Sequence, residues 1–184
     1  MKLDLQHAVR SSMDDFRVIY DRIALLHPNV ASFVTFKSMK TSMLRWRQKI
    51  RPSKVTSLNE YLRVINLDKW IDFRKYSFGT ITVNPIVMNN ETIAVILGDI
   101  QFLALLNNIQ ELHIDATFEV CPRNISNYIQ LLTIMATVSD TALPITWVIM
   151  TSKTTAAYTA VLNHFSQVFA PHINPSSVSV DFEE

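Results

Sequence analysis

Leu112-His113-Ile114-Asp115-Ala116-Thr117-Phe118 is the stretch on which the fold turns. Apolar residues stand at Leu112, Ile114, Ala116 and Phe118, with His113, Asp115 and Thr117 between them. A period of two marks a strand packed on one face. An aspartate in mid-strand is out of place on propensity, and its desolvation is costly without a partner. The last residues, Val178-Ser179-Val180-Asp181-Phe182-Glu183-Glu184, repeat the alternation with Asp181 on the polar face.

The elements between these strands decide how the two relate. Residues 128–138 predict a long strand, 139–141 a turn and 143–150 another strand. Residues 154–169 predict an amphipathic helix, with Tyr158, Val161, Leu162, Phe165, Val168 and Phe169 on one stripe. Pro171 and Pro175 separate that helix from the final strand. The predicted class is therefore α/β (α+β), with a mixed sheet in the order β-β-β-α-β.

A crossover helix can return the last strand parallel to the first. Neighbouring strands lie about 4.8 Å apart, so Asp115 and Asp181 would then be close carboxylates. Like charges at that spacing repel unless a cation lies between them. Hard divalent ions such as Mg²⁺ take such ligands and keep positions open for phosphate oxygens and water. Ion pairs about 3.5–4 Å apart serve in-line attack on phosphodiesters. The bland alternative is that each aspartate is a turn or cap residue.

Upstream, residues 12–27 predict a first helix, with Ser12 as cap and Pro28 beyond its end. Residues 33–50 predict a second, and Ser57-Leu58-Asn59-Glu60 has the form of a capping box opening a third. No acidic residue occurs between Asp21 and Glu60, where Arg22, Lys37, Lys40, Arg45, Arg47, Lys49, Arg51 and Lys54 cluster around Trp46. That window reads equally as a phosphate-contacting surface or as a solvated helix face. Residues 77–88 and 92–97 predict a hairpin about Asn89-Asn90, with Pro85 at an edge or bulge. A short helix capped by Asp99 follows through Asn107.

Composition narrows the chemistry. Only two glycines occur, Gly79 and Gly98, which excludes P-loops, dinucleotide fingerprints and nucleophile elbows. The single Cys121 excludes an internal disulfide and a multi-Cys zinc site. The most apolar tract, 143–150, falls short of the about 20 residues that cross a bilayer, and no signal peptide is legible. The net charge of +1 is silent about partners.

The stretch His113 to Phe118, with Pro122 after it, resembles the first catalytic motif of Mutator-like element (MULE) transposases. The likeness continues in order through Tyr128-Ile129-Gln130-Leu131-Leu132-Thr133, Leu143-Pro144 to Met150, and Ser152 to Tyr158. It ends at Val180-Asp181-Phe182-Glu183 and covers most of 93–184. Arg45-Trp46-Arg47 and Pro52 resemble the region preceding the core. The resemblance implies an RNase H-like core with a DDE/D triad, Mg²⁺- or Mn²⁺-dependent cleavage and transfer of DNA strands at transposon ends, and a nuclear location. Asp115 matches the first acidic residue and Asp181 the second. Glu183 lies in the second motif but is not the third, which the family carries well downstream. The expected organisation is a helical region over 1–75 (basic 22–54), a hairpin and short-helix linker over 76–110, and a carboxyl-terminally truncated core over 111–184. The family's Cys/His zinc module has no counterpart here.

With two of three carboxylates, the expectation is a chain that alone neither cleaves nor joins DNA. The alternative is a non-catalytic DNA-binding or interaction protein derived from a transposase. A third reading, an RNase H-type nuclease, needs further acidic residues, for which only Glu183 and Glu184 offer themselves. His113 shares the face of Asp115 and reads as a satisfied strand histidine. Cys121 and His172 lack the surroundings of a nucleophile and base, and Glu119 reads as solvated. Arg123 and Lys153 flank the strands as backbone-contact candidates. An uncovered final strand predicts self-association through the sheet.

Overall fold

In the computed structural model, which describes residues 1–52, 54–117, 125 and 130–181, the chain forms two compact units, Met1–Ser53 and Lys54–Glu184. The first unit is helical: α1 (Lys2–Ser11), α2 (Phe16–Leu26), α3 (Pro28–Ala31) and α4 (Phe36–Gln48). The helix expected over 12–27 is α2, four residues shorter at its start, and α1 before it was not expected. Ser12 is extended and its hydroxyl accepts the Asp14 N–H, while Asp15 caps α2 by accepting from the Arg17 N–H at 2.7 Å. Leu5 and Val9, four residues apart, share one face of α1 and are fully buried. They meet Ile19, Tyr20 and Ile23 of α2 and Met39 and Met43 of α4. Burying each such side chain stabilises by about 1.5–3 kcal/mol. Tyr20 Oη donates to the Val34 carbonyl at 2.6 Å, which satisfies its polar end.

The second unit runs from Lys54, and its first helix is α5 (Leu58–Ile65). Ser57 Oγ accepts the Glu60 N–H at 3.2 Å. The Glu60 carboxylate takes the Thr56 N–H at 2.8 Å, one residue before the usual partner in a capping box. A 3-10 turn over Asp68–Phe73 leads into a two-stranded ribbon of β1 (Lys75–Tyr76) and β2 (Gly79–Thr80).

The main sheet has six strands: β3 (Thr82–Met88), β4 (Glu91–Gly98), β5 (Glu111–Thr117), β6 (Gln130–Val138), β7 (Thr141–Met150) and β8 (Ser177–Asp181). Their spatial order is β3-β4-β7-β6-β5-β8, and among the described residues only β5 and β8 run parallel. The fold is thus mixed α/β around a mixed sheet. The hairpin expected in a linker is part of this sheet, because β4 pairs antiparallel with β7. Asn89-Asn90 and Ser139-Asp140 turn with φ between 47 and 64°, the left-handed geometry of tight hairpins. Pro85 lies in the edge strand β3, beside a bulge at Ile86/Val87. Pro144 sits beyond the last β4–β7 pair, Gly98↔Thr146, so its missing N–H costs no ladder bond on that side.

One sheet face is covered by α6 (Ile100–Leu105), α7 (Thr155–His164) and the π-helical turn Phe165–Phe169 that continues it. The continuous helix expected over 154–169 changes winding there. The Ala170 N–H reaches back five residues to the Phe165 carbonyl at 2.8 Å, and Phe165 and Phe169 are both buried. Leu58 of α5 packs with Val83, Val95 and Ile149 on the other face.

Candidate functional site

Along β5 the alternation read from sequence divides the strand between the two faces. Leu112 and Ile114 are buried in the α7-side core, and His113, Asp115 and Thr117 leave the opposite face half-buried. β8 returns parallel beside β5 with Asp115 opposite Asp181 in register. The two acidic side chains therefore emerge from the same face of adjacent strands, with backbones about 4.8 Å apart. The ladder continues through Thr133 of β6, Trp147 of β7 and Leu97 of β4. One row thus runs Asp181, Asp115, Thr133, Trp147, Leu97 across five strands.

Thr117 Oγ1 donates to Asp115 Oδ2 at 3.2 Å, holding one carboxylate oxygen in place. His113 lies with Thr137 (3.1 Å) and within 3.5 Å of the Glu111 carboxylate, a polar set of its own on that face. His172 Nε2 donates to the Leu103 carbonyl at 2.6 Å. Asp181 is exposed, as is all of β8, whose Val178 and Val180 are about half exposed (51% and 53%) on the apolar side.

The donor chemistry of the pair fits a hard divalent cation: oxygen ligands, half-buried to exposed, with Asp115 oriented by a hydroxyl. Among the described residues no group of three or more His, Cys, Asp or Glu converges as a metal cage. Phe118, Glu119, Cys121, Pro122, Arg123, Tyr128, Ile129, Phe182, Glu183 and Glu184 lie outside the described residues.

The basic window divides. Lys37, Lys40, Arg45 and Lys49 are exposed on or just after α4, and Arg51 is exposed with its guanidinium near Met13 Sδ. Lys54 is exposed in the second unit, and Arg22 pairs with Asp14 at 2.9 Å. Arg47 corrects the expectation of a phosphate contact. It is only 7% exposed, donates to the Asp14 carbonyl at 2.7 Å and the Ser12 carbonyl at 3.3 Å, and stacks 4.0 Å from the Phe16 ring centroid. Burial holds its pKa below the ordinary arginine value. Its place three to four residues from Met43 and Ile50 was the sequence signal that it faces inward.

A cavity of about 740 Å³ went unread in the sequence. Phe73, Arg74, Tyr76, Phe78, Phe102 and Trp147 line it; of these, Trp147 stands in the row of Asp115, while Phe102 packs against the α7-side core. A smaller one of about 280 Å³ shares Phe73, Arg74 and Trp147. The run of aromatics from Trp70 to Phe78 was the available signal. At its wall, Asp99 is buried, which pushes its pKa up. Hydrogen bonds from the Phe102 N–H, Tyr76 Oη (2.8 Å) and Gln101 N–H outweigh this and hold the carboxyl below its ordinary value. Asp99 is thus a charged clamp joining the ribbon to α6.

No protein-family model, curated protein or solved structure matches the chain. No helix among the described residues is long and apolar enough to cross a membrane.

Proposed function

We propose that the sheet unit is an RNase H-like core of the DDE/D transposase type, related to the Mutator-like elements, and that Asp115 and Asp181 bind Mg²⁺ or Mn²⁺ against a DNA backbone. The observation that carries this reading is the register pairing of the two aspartates on parallel neighbours. An antiparallel meander, a helix and a returning parallel strand supply the topology the reading needs. A bound divalent ion would neutralise phosphate charge and lower the pKa of a water ligand. The residues' own task is to hold that ion: Asp115 as an oriented half-buried ligand, Asp181 as its exposed partner. Among the described residues no third carboxylate joins the pair, so the pair by itself is expected to bind metal and DNA without cutting. The nucleus is the compartment in which such a protein would act.

Titrating Mn²⁺ into the full chain, followed by calorimetry and by nicking of supercoiled DNA, tests the reading. Binding lost in both Asp115→Ala and Asp181→Ala, without nicking, is expected. Binding unchanged in both variants overturns the metal assignment, and nicking abolished by Asp115→Asn overturns the expected inactivity.

A second reading, a non-catalytic DNA-binding protein, draws on the exposed Lys37, Lys40 and Arg45 of α4. Salt-dependent DNA binding that survives loss of both aspartates favours it.

A further inference from the structure

We infer that the aromatic cavity beside Trp147 receives an unpaired base of the nucleic-acid strand whose backbone crosses the Asp115–Asp181 pair, an inference that rests on the function proposed above. Trp147 and Asp115 belong to one cross-strand row, separated only by Thr133. Two strand spacings put them about 10 Å apart, the rise of about three stacked nucleotides. Threonine is small, so no bulky side chain in that row walls the cavity from the acidic pair.

The lining suits a base better than a sugar or an ion. Tyr76, Phe78, Phe102 and Trp147 are flat and π-faced, and single-stranded nucleic acids are held by stacking on such rings. Phe78 is 91% exposed at the tip of the β1–β2 ribbon, where an apolar ring gains little from burial. Arg74 supplies the complementary charge. It lines the cavity, and its Nε is buried with no hydrogen-bond partner among the described residues. The guanidinium charge at the cavity wall suits a phosphate oxygen or a base edge. A volume of about 740 Å³ admits a whole nucleoside. Asp99 is turned to the protein, with Tyr76 and two backbone N–H groups occupying its oxygens.

The test uses the full chain and single-stranded oligothymidylate carrying one 5-iodouracil, irradiated and mapped by mass spectrometry. Adducts on Trp147, Tyr76 or Phe78 are expected, and adducts only elsewhere overturn the inference. Phe78→Ala, at a highly exposed position whose ring touches only the edge of Tyr76, is expected to weaken oligothymidylate binding about tenfold. Binding of the same strand with an abasic residue should not change. Equal loss for both strands overturns base recognition, as does no loss for either. Trp147→Phe, which keeps a ring, should retain most of the affinity. Cavity adducts in a chain that binds no Mn²⁺ leave the inference standing and remove the metal reading. Mn²⁺ bound at the aspartates with no cavity adduct does the reverse.

Discussion

Asp181 stands opposite Asp115 in the parallel ladder of β5 and β8, where two carboxylates leave one face of neighbouring strands. In water, unit charges about 5 Å apart repel by roughly 1 kcal/mol. Replacing either by asparagine is therefore expected to leave stability unchanged or slightly raised in chelator. In saturating Mg²⁺ the sign reverses, because the wild-type chain gains ligand-linked stability that the variant lacks. Thermal denaturation with and without Mg²⁺ reads both, and a metal-independent ranking contradicts the shared ion.

Arg47 should behave as a folding residue. Arg47→Ala removes two hydrogen bonds and a cation–π contact and is expected to cost about 1–3 kcal/mol. The slope of DNA affinity against salt should not change in chain that remains folded. Lys37→Ala or Lys40→Ala should leave stability within about 0.5 kcal/mol and reduce that slope by about 1 if these side chains meet phosphate. Urea denaturation and binding at several salt concentrations separate the two roles.

Gly98 is required by packing. A methyl group there would approach Phe169 Cε1 to 2.8 Å and the Ile145 carbonyl oxygen to 3.0 Å. Gly98→Ala is expected to destabilise the second unit by about 1–3 kcal/mol, measured by chemical denaturation.

Thr146, opposite Gly98, is fully buried and its hydroxyl has no hydrogen-bond partner among the described residues. Thr146→Val keeps the shape and removes an unsatisfied polar atom, so it is expected to stabilise by about 1 kcal/mol. A loss of stability in denaturation would reveal an unseen partner for the hydroxyl.

His164, at the end of α7, has a buried Nε2 without a hydrogen-bond partner among the described residues, and burial pushes its pKa below the ordinary value. The folded state thus favours the neutral ring, and the unfolded chain binds the proton more readily. Stability from this site is full above the unfolded-state pKa of about 6.5 and falls as pH drops through it. Melting temperatures between neutral and mildly acidic pH should fall less steeply in His164→Gln than in the wild-type chain.

Local rules reach a definite depth in this protein. Ser57 and Asp99 cap their helices, Asn89-Asn90 turns a hairpin, and the period of two along β5 assigns His113 and Asp115 to one face, all as expected from sequence. These properties are set by neighbours within a few residues. α1 was missed because its stripe is only Leu5 and Val9, too short to stand out until the facing helices bury it. The basic window showed charge but not direction, so Arg47 was grouped with the exposed cations although its guanidinium turns onto Phe16.

What the sequence determined by itself was the strand alternation and the polar side on which each aspartate falls, since both follow from backbone periodicity. The order β-β-β-α-β allowed the last strand to lie beside β5, and the tertiary structure realised it by setting Asp181 against Asp115. Only the tertiary structure brought the hairpin into the main sheet and put Trp147 in the row of the aspartates. The reason is physical: pairing between distant strands is chosen by how well their apolar faces pack together, and no local interaction encodes that choice.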